Sequence, residues 1–240
     1  MSERTARRRA AGAATAALAL AGLLASGPAR ADEKGATTME KVEFGGWKNN
    51  LRIANGDAEL ILTLDVGPRV LSYKLAGGKN VFYVSQKDLG KAGESNWIGR
   101  GGHRLWAAPE DTTRTYAPDN VPIKYEEKGP LAALVRSPED PRYGIRKEME
   151  VRLAPKGSHV TVLHRITNVG DKPTELAPWC LTVMAPNGTE IIPMPAGHPH
   201  PGPPENAKGP SDFWPDRMFV FWPFTDLTDS RWHFGQKFIT

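Results

Sequence analysis

The chain has 240 residues, of which 40% are hydrophobic and 24% charged, with a formal net charge of +4 and a single cysteine. Of its 31 basic and 27 acidic residues, the first 31 positions hold five arginines and one glutamate, which leaves 26 of each in the remainder. A remainder without net charge lacks the basic surface that nucleic acids need, so a nucleic-acid partner is not expected. Cys180 cannot form an intramolecular disulfide, and we expect it to be a buried, small apolar residue.

The first predicted element is a secretory signal peptide over residues 1–31. Arg7, Arg8 and Arg9 precede a short apolar run, and Ala29 and Ala31 match the small residues of a cleavage site. We therefore expect a single mature domain over 32–240, located in the periplasm or outside the cell. A twin-arginine signal and a disordered Ala-rich tail are the alternatives. No other stretch reaches the length of a membrane span, so none is expected in the mature chain.

From residue 40 onward the chain is predicted to be all-β. Runs rich in β-branched and aromatic residues alternate with turn residues, and successive hairpins of this kind form an antiparallel β-sandwich. Asn55-Gly56-Asp57 and Gly77-Gly78 mark two hairpin turns. In chain order, strands are predicted at 51–54, 58–64, 69–75, 80–85, 121–126, 131–136, 145–153, 159–166, 175–184, 190–193 and 218–222.

Two long segments interrupt the predicted strands. Residues 87–119 contain few strand-like runs and include GRGGHRLWAAPED at 99–111, which concentrates arginine, histidine, tryptophan and carboxylates. Residues 193–215 are rich in proline and glycine. Long loops on a rigid β scaffold often carry binding residues, so 99–111 is the first candidate for a functional site.

Three segments resemble the galactose-mutarotase (aldose epimerase) superfamily. They are AELILTLDVGPRVLSYKLAGGKNVFYVS at 58–85, GGHRLWAAP at 101–109 and VTVLHRITNVGDKPTELAP at 160–178. The resemblance spans most of residues 42–184, and it is strongest to a bacterial branch with a Gly-Gly-His-Arg-Leu-Trp segment and no established reaction. It implies an antiparallel β-supersandwich and a sugar ligand.

The resemblance also implies a chemistry, in which a glutamate base and a histidine acid open and reclose a sugar ring. His103 lies in the Gly-Gly segment and matches one family histidine. Trp179 and Cys180 stand where active members carry the acid histidine, and the late-strand glutamate has no counterpart before Thr240. The chain is short for a supersandwich, so we expect a C-terminal truncation, which puts activity in doubt.

His103 and Arg104 are the strongest candidate site residues. A histidine exchanges protons near neutral pH, and the arginine fork matches hydroxyls or a carboxylate. The alternatives are an exposed loop histidine and an arginine in a structural ion pair. Trp106 offers a flat face to a sugar ring, but core packing explains it equally well.

The remaining candidates have structural alternatives too. Glu110 is a candidate catalytic carboxylate that also fits, with Asp111, an ordinary turn or cap. Arg69 points into the cleft or covers the sheet edge, and Trp179 is a candidate binding residue. We expect no cofactor and no metal, because the His198 and His200 spacing has no third ligand.

Three functions remain open from the sequence. The first is an exported carbohydrate-binding protein that exchanges sugar anomers by acid–base catalysis, with His103 and Glu110 catalytic and Arg69, Arg104, Trp106 and Trp179 binding. The second is a non-catalytic module for a sugar or oligosaccharide. The third is a structural domain of the cell envelope. The fold does not decide between them, because function depends on the site.

Overall fold

The computed structural model describes residues 37–140, 142–197, 199–215 and 218–240, which fall within one compact unit, Gly35–Thr240. The predicted signal peptide lies outside the described residues, as does His198. The strands are β1 (Thr38–Phe44), β2 (Trp47–Ala54), β3 (Ala58–Thr63), β4 (Arg69–Leu75), β5 (Gly102–Ala108), β6 (Lys124–Gly129), β7 (Ala132–Arg136), β8 (Ile145–Leu153), β9 (Val160–Asn168), β10 (Ala177–Val183), β11 (Ile192–Pro193) and β12 (Phe238–Ile239).

Two antiparallel sheets form the sandwich. The larger has the order β1-β2-β3-β4-β5-β10 and the smaller the order β6-β7-β8-β9, with β11 and β12 pairing separately. The main core lies between these two sheets and includes Leu62 and Leu105 from the first and Val135 and Met149 from the second. The predicted all-β sandwich is therefore confirmed. In the described part of the chain no helix is long and apolar enough to cross a membrane.

The predicted hairpin at residues 55–57 is also a link between the sheets. The side-chain oxygen of Asn55 accepts hydrogen bonds from the N–H groups of Asp57 and Ala58, which closes the turn. Its amide donates to the carbonyls of Ala154 and Gly157 in the turn after β8, at 2.7 and 2.8 Å. Asn55 is 4% exposed, so this cross-link is shielded from water.

The predicted strand at 80–85 does not form. It makes only isolated bridges, at Phe82 and Val84. The reason is Asn80, whose side-chain oxygen accepts from the N–H groups of Tyr73 and Phe82 and whose amide donates to the carbonyl of Leu71. One side chain thus takes the place of part of a strand ladder beside β4.

The loop prediction for 87–119 is wrong at its centre, because β5 occupies Gly102–Ala108 between β4 and β10. β5 is buried on both faces, so it lacks the polar–apolar alternation that marks a half-buried strand. β1 was not predicted. The strand predicted at 218–222 is absent from the described residues there, whose side chains are exposed and have no ladder partner.

Cys180 is exposed, contrary to the expectation that it is buried. It lies on β10, the edge strand of the larger sheet, which is hydrogen-bonded to β5 on one side only. An edge strand leaves its side chains less covered than a central strand does.

Candidate functional site

β5 distributes the predicted site residues over two faces of the larger sheet. Successive side chains of a strand point to opposite faces, so Arg104 and Trp106 lie on one face and His103 on the other. The register pairs Arg104 with Arg69 on β4, and Trp106 with Trp179 on β10. Four predicted residues therefore share a face, and His103 is separated from them.

The start of β5 depends on a glycine pair. Gly101 and Gly102 have φ of 85° and 68°, in the left-handed region that favours glycine. A Cβ on Gly102 would lie 2.3 Å from the carbonyl oxygen of Val70, and one on Gly101 would lie 2.2 Å from that of Tyr83. The two glycines let β5 approach β4 and the 80–85 segment closely enough for Arg104 to pair with Arg69.

Four rings form an aromatic cluster on the Arg104 face, namely Trp97, Trp106, Tyr116 and Trp179. Trp106 is at its centre, with ring centroids 5.0 Å from Trp97, 5.1 Å from Tyr116 and 5.5 Å from Trp179. Trp106 is 6% exposed, so the packing interpretation of this residue holds. Trp179 is half-buried, and its ring lies nearly parallel to that of Trp222 at 6.4 Å.

Arg104 lies over this cluster and is 9% exposed. Its guanidinium carbon is 4.4 Å from the ring centroid of Trp106 and 5.3 Å from that of Trp97, a cation–π arrangement. Its Nε is buried without a hydrogen-bond partner. Burial, followed by the charge of Arg69, lowers the pKa of Arg104 to about 10, which leaves the group cationic at neutral pH.

Arg69 is a structural residue, because it is fully buried and both terminal nitrogens of its guanidinium are bonded within the fold. It donates to the carbonyl of Gly101 at 2.6 Å and to the Asp119 carboxylate at 2.8 Å. Burial alone would raise the pKa of Asp119, but the charges of Arg69 and Lys147 outweigh it and hold the pKa below its usual value. Of the two interpretations of Arg69, neither the open cleft nor the exposed sheet edge fits this environment.

Glu110 adjoins the aromatic cluster from outside. Its carboxylate accepts a hydrogen bond from the Tyr116 hydroxyl, which raises the pKa of Tyr116. Asp111 accepts from the backbone N–H groups of Thr113 and Arg114, as in a capped turn. The cap interpretation therefore fits Asp111, while Glu110 stays next to a cluster ring.

A polar cavity of about 380 Å³ lies beside the cluster, and Trp97 and Tyr116 belong to both. This volume falls in the range of small-molecule sites, about 300–1,000 Å³. Its other walls carry mainly hydroxyl and amide groups, on Ser95, Asn96, Thr112, Thr113 and Tyr143.

The rim of the polar cavity is held by a buried hydrogen-bond network. Asn120 donates to the carbonyls of Glu94 and Asn96 at 2.9 and 2.6 Å, and it accepts from Arg100. Arg100 is fully buried and also pairs with Glu94. These contacts tie residues 94–100 to Asn120 and so hold the rim of the cavity in place.

His103 belongs to a different place, between the two sheets. Its Nε2 is 2.8 Å from Nε2 of His164 on β9, and its Nδ1 is 2.8 Å from the Thr182 hydroxyl. This histidine pair lies at an apolar groove of about 290 Å³, whose lining includes His103, Thr182, Phe82 and Val162. Burial, then the charges of His164 and Arg104, lowers the pKa of His103 to about 4.

The predicted catalytic pair, His103 and Glu110, does not meet in one site. His103 is hydrogen-bonded between the sheets, whereas Glu110 follows the far end of β5 and bonds Tyr116. The five residue steps from His103 to Ala108 alone span roughly 16 Å at strand geometry.

Trp97, Tyr116 and His164 are not among the site residues predicted from the sequence. Trp97 and Tyr116 lie in the segment predicted as a loop, where their aromatic character next to the GRGGHRLWAAPED motif was the available signal. His164 lies on a correctly predicted strand, facing the same side as Met149 opposite it.

Comparison with protein-family models, with curated proteins and with solved structures gives no match for this chain. Within the described residues, no group of three or more histidine, cysteine, aspartate or glutamate side chains is arranged to hold a metal ion. His200 packs on the ring of Phe213 and accepts a hydrogen bond from the N–H of Gly202.

Proposed function

We propose that the protein is an exported carbohydrate-binding protein, related to the mutarotase-like superfamily, that binds a sugar at the aromatic cluster and the adjoining polar cavity. The observation that carries the proposal is the shared wall: Trp97 and Tyr116, whose rings meet edge to face, join the aromatic cluster to a cavity rich in hydroxyl and amide groups. A sugar presents both an apolar C–H face and hydroxyl groups. Aromatic faces suit the first, and precisely placed polar groups suit the second.

Binding without catalysis is the form of this function that the site supports best. Anomer exchange needs an acid and a base of pKa near the working pH, both in reach of one ligand. Beside the cluster, Glu110 is hydrogen-bonded to Tyr116, whose pKa is raised, and His103 is on the opposite face with a pKa of about 4. Catalysis of anomer exchange is the alternative, and polarimetry with the same sugars tests it.

The test of sugar binding uses Trp179, the half-buried ring of the aromatic cluster. Trp179→Ala removes part of the accessible aromatic surface of the cluster, so we expect the affinity for the bound sugar to fall about 10-fold, equivalent to about 1.4 kcal/mol. The measurement is calorimetric titration over a panel of mono- and disaccharides, with melting curves for each protein.

Trp214→Ala is the matched control, because Trp214 is 67% exposed and is not a member of the cluster. Its affinity should equal that of the wild type. If the wild type binds no sugar of the panel, or if the two alanine variants lose affinity equally, the proposed function is wrong. A purely structural role of Trp179 would show as a lowered melting temperature with affinity unchanged.

A further inference from the structure

The region around Arg104 has an excess of buried positive charge. Arg69, Arg104 and Lys147 are 0%, 9% and 6% exposed, and Asp119, at 6%, is the buried carboxylate that faces them. Burial lowers the pKa of Lys147, Asp119 opposes this shift, and the charges of Arg69 and Arg104 add to it. Two arginines and one lysine thus share one buried carboxylate.

One oxygen of that carboxylate, Oδ2, is engaged, while Oδ1 is buried without a hydrogen-bond partner. The Asp119 carboxylate binds the Arg69 guanidinium at 2.8 Å. Among the described residues, neither the Arg104 guanidinium nor the Lys147 ammonium makes a hydrogen bond or an ion pair with a protein group. Arg104 has five N–H donors, so its hydrogen-bonding capacity on this face is unused.

The nearby carboxylates in the segments before and after β5 also have partners. Glu94 pairs with Arg100, and Glu110 accepts from Tyr116. Asp111 caps its own turn. No described carboxylate therefore forms a hydrogen bond or an ion pair with Arg104, and the charge of Asp119 only partly offsets the effect of burial and of Arg69 on the pKa of Arg104.

A buried cation without an ionic partner is costly, because a cation–π contact replaces only part of the hydration that the cation loses. A ligand that brings an anion to Arg104 recovers this cost. We propose that the ligand of the aromatic cluster carries an anionic group, a carboxylate or a phosphate, which Arg104 binds with a charge-assisted hydrogen bond. The charge of Arg69 strengthens the attraction.

This inference rests on the proposed sugar site and names the class of sugar: an acidic sugar or a sugar phosphate. Trp97 connects the polar cavity with Arg104, since it forms a wall of the cavity and its ring lies against the Arg104 guanidinium. A sugar that uses the cavity for its hydroxyl groups reaches Arg104 with a substituent placed beside Trp97.

The experiment is a titration of the full chain with matched pairs: glucuronate against glucose, galacturonate against galactose, and glucose 6-phosphate against glucose. We expect at least one charged member to bind about 10-fold or more tightly than its neutral partner. This preference should shrink as salt is raised, because salt screens the attraction. The stronger of the carboxylate and phosphate arms identifies the anionic group.

Arg104→Gln supplies the residue-level test. It removes the charge, so the ratio of the affinity for the charged sugar to the affinity for its neutral partner should fall towards one. Arg114→Gln is the control, because Arg114 is half-exposed and pairs with Asp111 on the surface, and it should keep the wild-type ratio.

The outcomes separate the two proposals. If neutral sugars bind the wild type as tightly as charged ones, the anionic group is wrong while the sugar site stands. If no sugar of either kind binds, both are wrong. If Arg104→Gln does not fold, the affinity ratio of the wild type and its dependence on salt decide the question without a variant.

Discussion

At the scale of single residues, His103 and Arg104 show how neighbours on one strand acquire different roles. His103 joins His164 between the sheets, whereas Arg104 lies over the aromatic cluster. The Nε2–Nε2 contact of the histidine pair needs one donor and one acceptor, so one Nε2 must stay unprotonated. Full protonation of both rings therefore breaks the contact.

The histidine pair predicts a loss of stability in mild acid. His103 has a pKa of about 4 in the fold and about 6.5 when unfolded. Above pH 6.5 both states are neutral and stability is complete. Between 6.5 and 4 only the unfolded state gains the proton, so stability falls as the pH falls. We expect a loss of about 1–2 kcal/mol after solvent screening of a half-buried ring.

His103→Gln should flatten this profile in urea unfolding at pH 7 and pH 4.5. The control is His159→Gln, on an exposed side chain just before β9; it should keep the wild-type slope. An unchanged pH dependence in His103→Gln would contradict the assignment of the slope to this pair.

At the scale of elements, β5 can form only because the absence of a Cβ at Gly102 leaves room for the backbone of β4. The local sequence pattern does not predict this close approach. Gly102 and Gly77 have nearly the same φ, 68° and 71°, but a Cβ on Gly102 would meet the Val70 carbonyl at 2.3 Å whereas nothing lies within 4 Å of one on Gly77. The two positions therefore separate backbone strain from steric overlap.

Gly102→Ala should lower the free energy of unfolding by about 3–5 kcal/mol, because the clash with β4 adds to the strain of a left-handed alanine. Gly77→Ala should cost only the strain, about 1–2 kcal/mol. Urea denaturation of both variants measures the difference. Equal losses would mean that β5 does not pack against β4 as described.

The strands that the sequence predicts correctly are those whose signals are local. β2 and β3 flank Asn55-Gly56-Asp57, and β8 places Ile145, Met149 and Val151 on one face with charged residues on the other. β5 escapes prediction because it is buried on both faces and carries a buried arginine. The 80–85 segment misleads because Asn80 replaces the ladder, a contact that propensity does not encode.

The part of the candidate site that lies on strands can be predicted from the sequence, whereas the part that lies on loops cannot. Arg104, Trp106 and Trp179 share a face because β5 and β10 pair in register, which follows once both strands are known. Trp97 and Tyr116 join them from loops, and their positions depend on the Asn120–Arg100 network. The sequence predicts His103 in the same site as Arg104, because a loop imposes no alternation of side chains. On a strand the two neighbours point to opposite faces.

At the scale of the whole molecule, burial is uneven along the chain. Among the described residues, all buried hydrophobic side chains except Ile239 lie between Trp47 and Leu153. The described part beyond β10 holds large exposed apolar side chains, among them Met218 at 86% and Phe224 at 85%. Exposed apolar surface of this extent is typical of interaction sites, and segments with few buried contacts open at low free-energy cost.

Limited proteolysis of the full chain should therefore cut first within residues 186–240 and leave a resistant fragment that contains both sheets of the sandwich. Mass spectrometry identifies the cut sites.

Because Trp222 packs on Trp179, a sugar bound at the aromatic cluster should slow cleavage near Trp222. In Trp179→Ala the same sugar concentration should give less protection, whereas Trp214→Ala should keep it. Cleavage that begins inside β6–β9 would contradict the prediction that residues 186–240 are less stable than the sandwich. Equal protection in both variants would mean that Trp222 does not sense the ligand through Trp179.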